Sequence, residues 1–188
     1  LGGLSVAAPK ALVALEAAGY PWVVVETVGV GQDEVEVTAA ADTVVVVITP
    51  GWGDGIQASK AGILEIADVF AVNKADRSGA AEAAADLRTL LGLGDHADWV
   101  PPIVETVAST GEGLPELWDA VRSHREHLGV EGLESRRRRR RNADLETALA
   151  SSLRKRAAAI AVSDADLAIA VERGEIDPWT AAERLAGS

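Results

Sequence analysis

The chain has no cysteine and no methionine among its 188 residues, and only one phenylalanine and one tyrosine. Without cysteine it can build neither a disulfide framework nor a thiolate metal site, which fits a reducing compartment. It lacks a signal-peptide pattern, and no apolar run approaches the ~18 residues that a membrane span needs. The expectation is therefore a cytoplasmic protein with no membrane partner. Positive charge is also scarce. Eighteen Lys and Arg face twenty-nine Asp and Glu, for a net charge of −11. That balance argues against a general nucleic-acid binder.

What is present is apolar residue, 48% of the chain. That suits one α/β domain with a short appendage. Leu4, Ala8, Ala11, Leu12, Leu15 and Ala18 recur at helical spacing, with Gly19 as a stop. Trp22–Val25 reads as a strand. Thr43–Ile48 is a nearly unbroken β-branched run, expected as a strand buried on both faces. A helix over Ile56–Ala67, a strand Val69–Val72, a helix Gly79–Leu91, a strand Pro102–Thr106 and a helix Gly113–His127 follow. Strand and helix alternate, so the fold class expected is α/β: a doubly wound, mostly parallel sheet, followed by a small all-helical C-terminal arm.

The arm carries the stripes Leu145/Leu149/Leu153 and Leu167/Ile169/Val171. Ser163 is a candidate cap for the second helix, and Gly174 ends it. Asp177-Pro178 opens a last short helix expected to turn Trp179, Ala182 and Leu185 inward. Six consecutive arginines, Arg136 to Arg141, sharply invert the local charge. They read as a solvated linker or helix entry, or as a docking strip for an acidic partner face. His96, His124 and His127 lack ligand spacing and are expected at the surface.

One short motif carries specific chemistry. The apolar run Val69–Val72 ends in Asn73-Lys74-Ala75-Asp76. A carboxylate placed there can accept two hydrogen bonds from N1 and N2 of guanine, while Asn73 and the Lys74 stem wall the base. Adenine lacks that donor pair and would strand the carboxylate, so it is rejected. Two further stretches resemble parts of P-loop GTPases. Glu26-Thr27-Val28-Gly29 is similar to the segment that senses Mg²⁺ and the terminal phosphate, Glu26 through a metal-bound water and Gly29 through its N–H. Glu105-Thr106-Val107-Ala108-Ser109 resembles the loop that touches the guanine oxygen, with the Ala108 N–H as donor. Gln32 is a candidate for orienting the attacking water or for a switch contact. Asp54, in the Gly51–Gly55 loop, is a candidate partner-sensing switch.

The wording of Glu26–Gln32 closely resembles the MeaB/ArgK family. So do Leu1-Gly2-Gly3, Pro50-Gly51-Trp52-Gly53-Asp54 with Gln57, Gly62–Asp68, Asn73–Asp76 and Asp177–Ala182. Its members are chaperones of methylmalonyl-CoA mutase, with the older label LAO/AO transport ATPase. The resemblance implies GTP/GDP and Mg²⁺ as cofactors, a homodimer, and methylmalonyl-CoA mutase or a related cobalamin-dependent mutase as partner. The implied function is a GTPase that protects the mutase and gates adenosylcobalamin loading. The implied site is Glu26 and Gln32 as catalytic residues, with Gly29, Asn73, Lys74, Asp76 and Ala108 holding the nucleotide. The implied division is 1–128 as a partial G domain, 129–142 as an Arg-rich linker and 143–188 as a dimerisation arm.

One family part has no counterpart: no G-x-x-x-x-G-K-[ST] occurs in the sequence. In the family that loop lies upstream, so the expectation is a fragment of a longer protein that starts after the first switch and is inactive alone; the alternative is a natural degenerate paralogue. Two other readings stay open: a non-catalytic dimerisation or interaction fragment, and a kinase or transport ATPase. The guanine-type motif argues against the last.

Overall fold

The computed structural model describes residues 7–27, 40–51, 64–93 and 98–186. The sheet has three parallel strands in the order β1 (Val45–Ile48), β2 (Val69–Asn73), β3 (Ile103–Thr106). Helices lie between and beyond them: α1 (Ala8–Ala17), α2 (Ala80–Gly92), α3 (Leu114–Ala161), α4 (Ala165–Glu172) and α5 (Pro178–Ala186). Parallel pairing follows from the helical crossovers, which bring the chain back to the starting edge before each new strand. The expected parallel α/β class with a helical C-terminal part is thus observed.

β2 is the strand buried on both faces. Val69, Phe70, Ala71 and Val72 are all buried. Phe70 and Val72 point to one side, where Ile48 and Ala67 join them. α2 covers this side with Ala80, Ala84, Leu87 and Leu91, a stripe at helical spacing. Gly79 starts α2 with φ 88°, a left-handed conformation that a side chain would resist.

Two strand expectations need correction. Thr43–Ile48 is not buried on both faces: Val44 and Ile48 are buried, but Val47 is 60% exposed. β1 pairs only with β2 among the described residues, so one of its sides lacks a neighbour. Trp22–Val25 is irregular rather than a strand. A β-branched run becomes a strand only when a neighbour supplies ladder hydrogen bonds, and none of the described strands pairs with it. Trp22 instead meets Trp118 edge-on at 4.5 Å, with the Arg125 guanidinium 4.7 Å from the Trp22 ring centroid. Of the helix expected over Ile56–Ala67, only Leu64–Ala67 lies within the described residues; Leu64–Ile66 is helical and Ala67 is not.

α3 contains one break. Gly129 has φ 58° and ψ −168°, outside any helical region. The arginine run therefore lies within the second segment of this helix. The chain divides into two compact units, Leu1–Arg140 and Arg141–Ser188. In the second unit the cap of α4 is Asp164, whose carboxylate accepts the Leu167 N–H at 2.9 Å. Ser163, the expected cap, instead donates its hydroxyl to the Ile160 carbonyl. Asp177 does cap α5, accepting the N–H groups of Trp179 and Thr180. Trp179 is 78% exposed and Ala182 is exposed; Ala181 is the buried residue of this helix, one position off the expected face.

Candidate nucleotide-base site

β2 and β3 run in register, so Asn73 lies beside Thr106 at the carboxyl ends of both strands. Their following loops therefore meet on one edge of the sheet, where α/β folds gather ligand contacts. The Asn73 side chain joins the two loops. Its Oδ1 accepts the Lys74 N–H at 2.8 Å and the Ala108 N–H at 3.1 Å, with the Thr106 hydroxyl at 3.5 Å. The Ala75 N–H adds a bond to the Thr106 carbonyl at 3.0 Å. Lys74 holds φ 61°, a left-handed turn that an Asn or Gly would take more easily. Such local strain persists where surrounding bonds over-determine it.

Lys74 and Asp76 are both exposed. Among the described residues the Asp76 carboxylate makes no hydrogen bond or ion pair, which leaves both oxygens available to a ligand. The second loop is closely hydrogen-bonded. Val107 forms an antiparallel bridge with Glu112, and the Thr110 and Gly111 N–H groups both return to the Val107 carbonyl. Gly113 closes this turn with φ 74°, and a Cβ on it would lie 2.1 Å from the Glu105 carbonyl oxygen. Only glycine fits there.

The structure thus brings Asn73, Lys74, Asp76 and Ala108 into adjoining loops. It gives the Ala108 N–H to Asn73, so Asn73 acts as a brace between the loops. Glu26 is exposed in the irregular stretch that follows α1, and the described residues bring no second ligand to it. Gly29, Gln32 and Asp54 lie outside the described residues. Among the described residues, no group of three His, Asp or Glu could hold a metal ion.

A second polar cluster sits at the opposite end of β2. Asp68 is buried just before the strand. Its carboxylate accepts the Val44 N–H at 2.8 Å, both Nη atoms of Arg136 at 2.8 Å, and Nε2 of His124 at 3.2 Å. Burial alone would raise its pKa; the His124, Arg136 and Val44 bonds outweigh that and hold it at about 2, below the ordinary 3.8. His124 is 1% exposed, with Nδ1 at 2.9 Å from the Thr43 hydroxyl. This corrects its expected surface position. His127 is exposed, and His96 lies outside the described residues. Trp99 packs against both His124 and His127 and donates its indole N–H to the Asp68 carbonyl at 2.8 Å.

Three of the six arginines serve this side of the molecule. Beyond Arg136, Arg137 pairs with Asp42 at 3.0 Å, and Arg140 reaches Glu16 at 3.3 Å. These partners replace the solvated strip that charge alone suggested. The available signal was spacing: Arg136, Arg137 and Arg140 share one helical face.

Comparison with known proteins agrees with the motifs. A family described as methylmalonyl Co-A mutase-associated GTPase MeaB matches residues 1–162. A Pyrococcus horikoshii protein named as a GTPase is 43% identical over 188 residues, covering 97% of this chain and 59% of its own length. The mouse mitochondrial methylmalonic aciduria type A homolog is 34% identical over 139 residues, covering 70% of this chain and 33% of its own length. A crystal structure titled as a LAO/AO transport system kinase superposes with a TM-score of 0.65 at 26% identity, covering 95% of this chain and 60% of its own. The chain therefore spans less than two thirds of the length of these relatives, and it belongs to the MeaB family of GTPases.

Proposed function

We propose that this chain is the guanine-recognising part of a G protein that gates adenosylcobalamin loading of methylmalonyl-CoA mutase or a related cobalamin-dependent mutase. The observation that carries the nucleotide half is the Asn73 brace, which ties the loop that bears Asp76, whose carboxylate is unpaired among the described residues, to the Ala108 loop. Those residues fit a guanine: Asp76 accepts from N1 and N2, the Lys74 stem covers the ring, and the Ala108 loop faces its oxygen. The mutase half rests on the family's description and on the mouse relative's name.

In this reading Glu26 would hold a Mg²⁺-bound water, Gly29 would sense the terminal phosphate, and Gln32 would orient the attacking water; a bound Mg²⁺ would supply charge neutralisation on the phosphates. The protein's part is to position the nucleotide through its base and to change conformation with its phosphate state. The domain roles follow: 1–128 as G-domain residues, 143–188 as a dimerisation arm.

The test is Asp76→Asn in the full-length protein. Stranding the guanine donors weakens GTP binding by roughly 2–4 kcal/mol. Xanthosine triphosphate gains affinity, because its C2 carbonyl accepts from the new amide. Calorimetry that finds GTP affinity unchanged removes the guanine assignment.

A further inference from the structure

Asp68 binds α3 on both sides of its break. His124 precedes Gly129 and Arg136 follows it, yet both reach the same oxygen, Asp68 Oδ1, at 3.2 and 2.8 Å. In an unbroken helix those two residues would be about 18 Å apart along the axis and about 120° apart around it. Side chains on a helix project outward and lean toward its N-terminus. To share one oxygen across that span, the histidine and the arginine would have to lie end to end along the axis. The bend at Gly129 is therefore a condition for the shared contact.

Gly129 supplies the bend without a packing reason. It is exposed, and a Cβ on it would meet nothing within 4 Å. Its backbone conformation is one that only glycine adopts freely. The residues on either side are helical. The bent form is thus opposed by local helix propagation and held by the ties to Asp68, Asp42 and Glu16.

We propose that Gly129 and Asp68 form a latch with two states: a bent state, in which Arg136 and His124 share Asp68, and an extended state, in which helix runs unbroken through residue 129. Thr43 and Trp99 hold the near side, through the His124 Nδ1 contact and the indole packing. Arg137 and Arg140 hold the far side through Asp42 and Glu16. A group that takes Arg136 from Asp68 releases residues 130–140.

The chain has no cysteine, so spin labels can be placed without background. Cysteines at the exposed positions Glu116 and Arg139 report the state by pulsed electron paramagnetic resonance on the full chain. A continuous helix separates them by about 35 Å. The parent should show a clearly shorter distance. Gly129→Ala and Arg136→Gln should each shift the distribution toward about 35 Å, with helical circular dichroism retained. If Arg136→Gln fails to fold, Gly129→Ala, which meets no neighbouring atom, decides alone. A parent already at about 35 Å, or folded variants that keep the parent distance, overturns the latch.

Discussion

Asp68 is a carboxylate taken out of water and returned four hydrogen bonds, and its titration follows from that trade. The folded pKa is depressed, to about 2 from 3.8. Its contribution to stability is therefore complete above about pH 4 and is lost as pH falls through about 2. The shift corresponds to about 2 kcal/mol. Asp68→Asn should cost about 3 kcal/mol at neutral pH, since it leaves the Arg136 charge without its partner. Denaturant melts of both proteins should converge as pH drops from 5 to 2; a stability gap that stays constant over that range refutes the assignment. Asn73-Lys74-x-Asp76 was legible in the sequence because its chemistry is local, four residues at the end of an apolar run. The Asp68 cluster was not. It needs Thr43, His124 and Arg136, which only the fold assembles. His124 looked like a surface residue for the same reason: nothing near it in sequence predicts a buried acceptor.

Elements were legible where one segment carries its own pattern. The α2 stripe and the apolar run of β2 are such segments, and both lie where periodicity put them. Trp22–Val25 failed because strand formation is a property of a pair, and the sequence of one member does not name the other. Turn geometry was legible only in part. Gly113 read as a helix start, while its closeness to the Glu105 carbonyl became visible only in the folded loop. Gly113→Ala should cost about 3 kcal/mol or more, since backbone must move to admit the methyl group. Gly111→Ala is the control: φ is 84°, but nothing lies within 4 Å, so only the left-handed penalty of about 1–2 kcal/mol applies. Thermal melts should rank the two in that order. Amide exchange at Ala108 should quicken in Gly113→Ala far more than in Gly111→Ala. Equal costs and equal exchange would mean that Gly113 does not pin the base loop.

At the scale of the whole chain, two consequences follow from what the residues can and cannot hold. The sequence has no G-x-x-x-x-G-K-[ST], so residues 1–188 hold the proposed base site without that cradle of amides and lysine for phosphate. GTP binding by residues 1–188 alone should be weaker than roughly millimolar, because phosphate contacts carry much of a nucleotide's affinity; micromolar binding by calorimetry would contradict this. The second consequence concerns assembly. In the unit Arg141–Ser188, Leu145, Leu149 and Leu153 recur every fourth residue and are 67%, 56% and 53% exposed. Ile160, Ile169 and Trp179 add further exposed apolar surface. Helices with such stripes gain much of their stability from what covers them. A second copy is the commonest closed solution, since a two-fold axis lets one stripe cover its equivalent. We therefore expect the full-length protein to be a dimer through this arm. Deleting residues 143–188 should yield a monomer that keeps the Asn73 brace, visible as unchanged amide-exchange protection at Lys74 and Ala108. Light scattering at about 30 µM decides the matter, because a stable interface holds its dimer at that concentration by mass action; an intact full-length protein that runs as a monomer there would leave the stripe to a different partner and remove the homodimer from the proposed function.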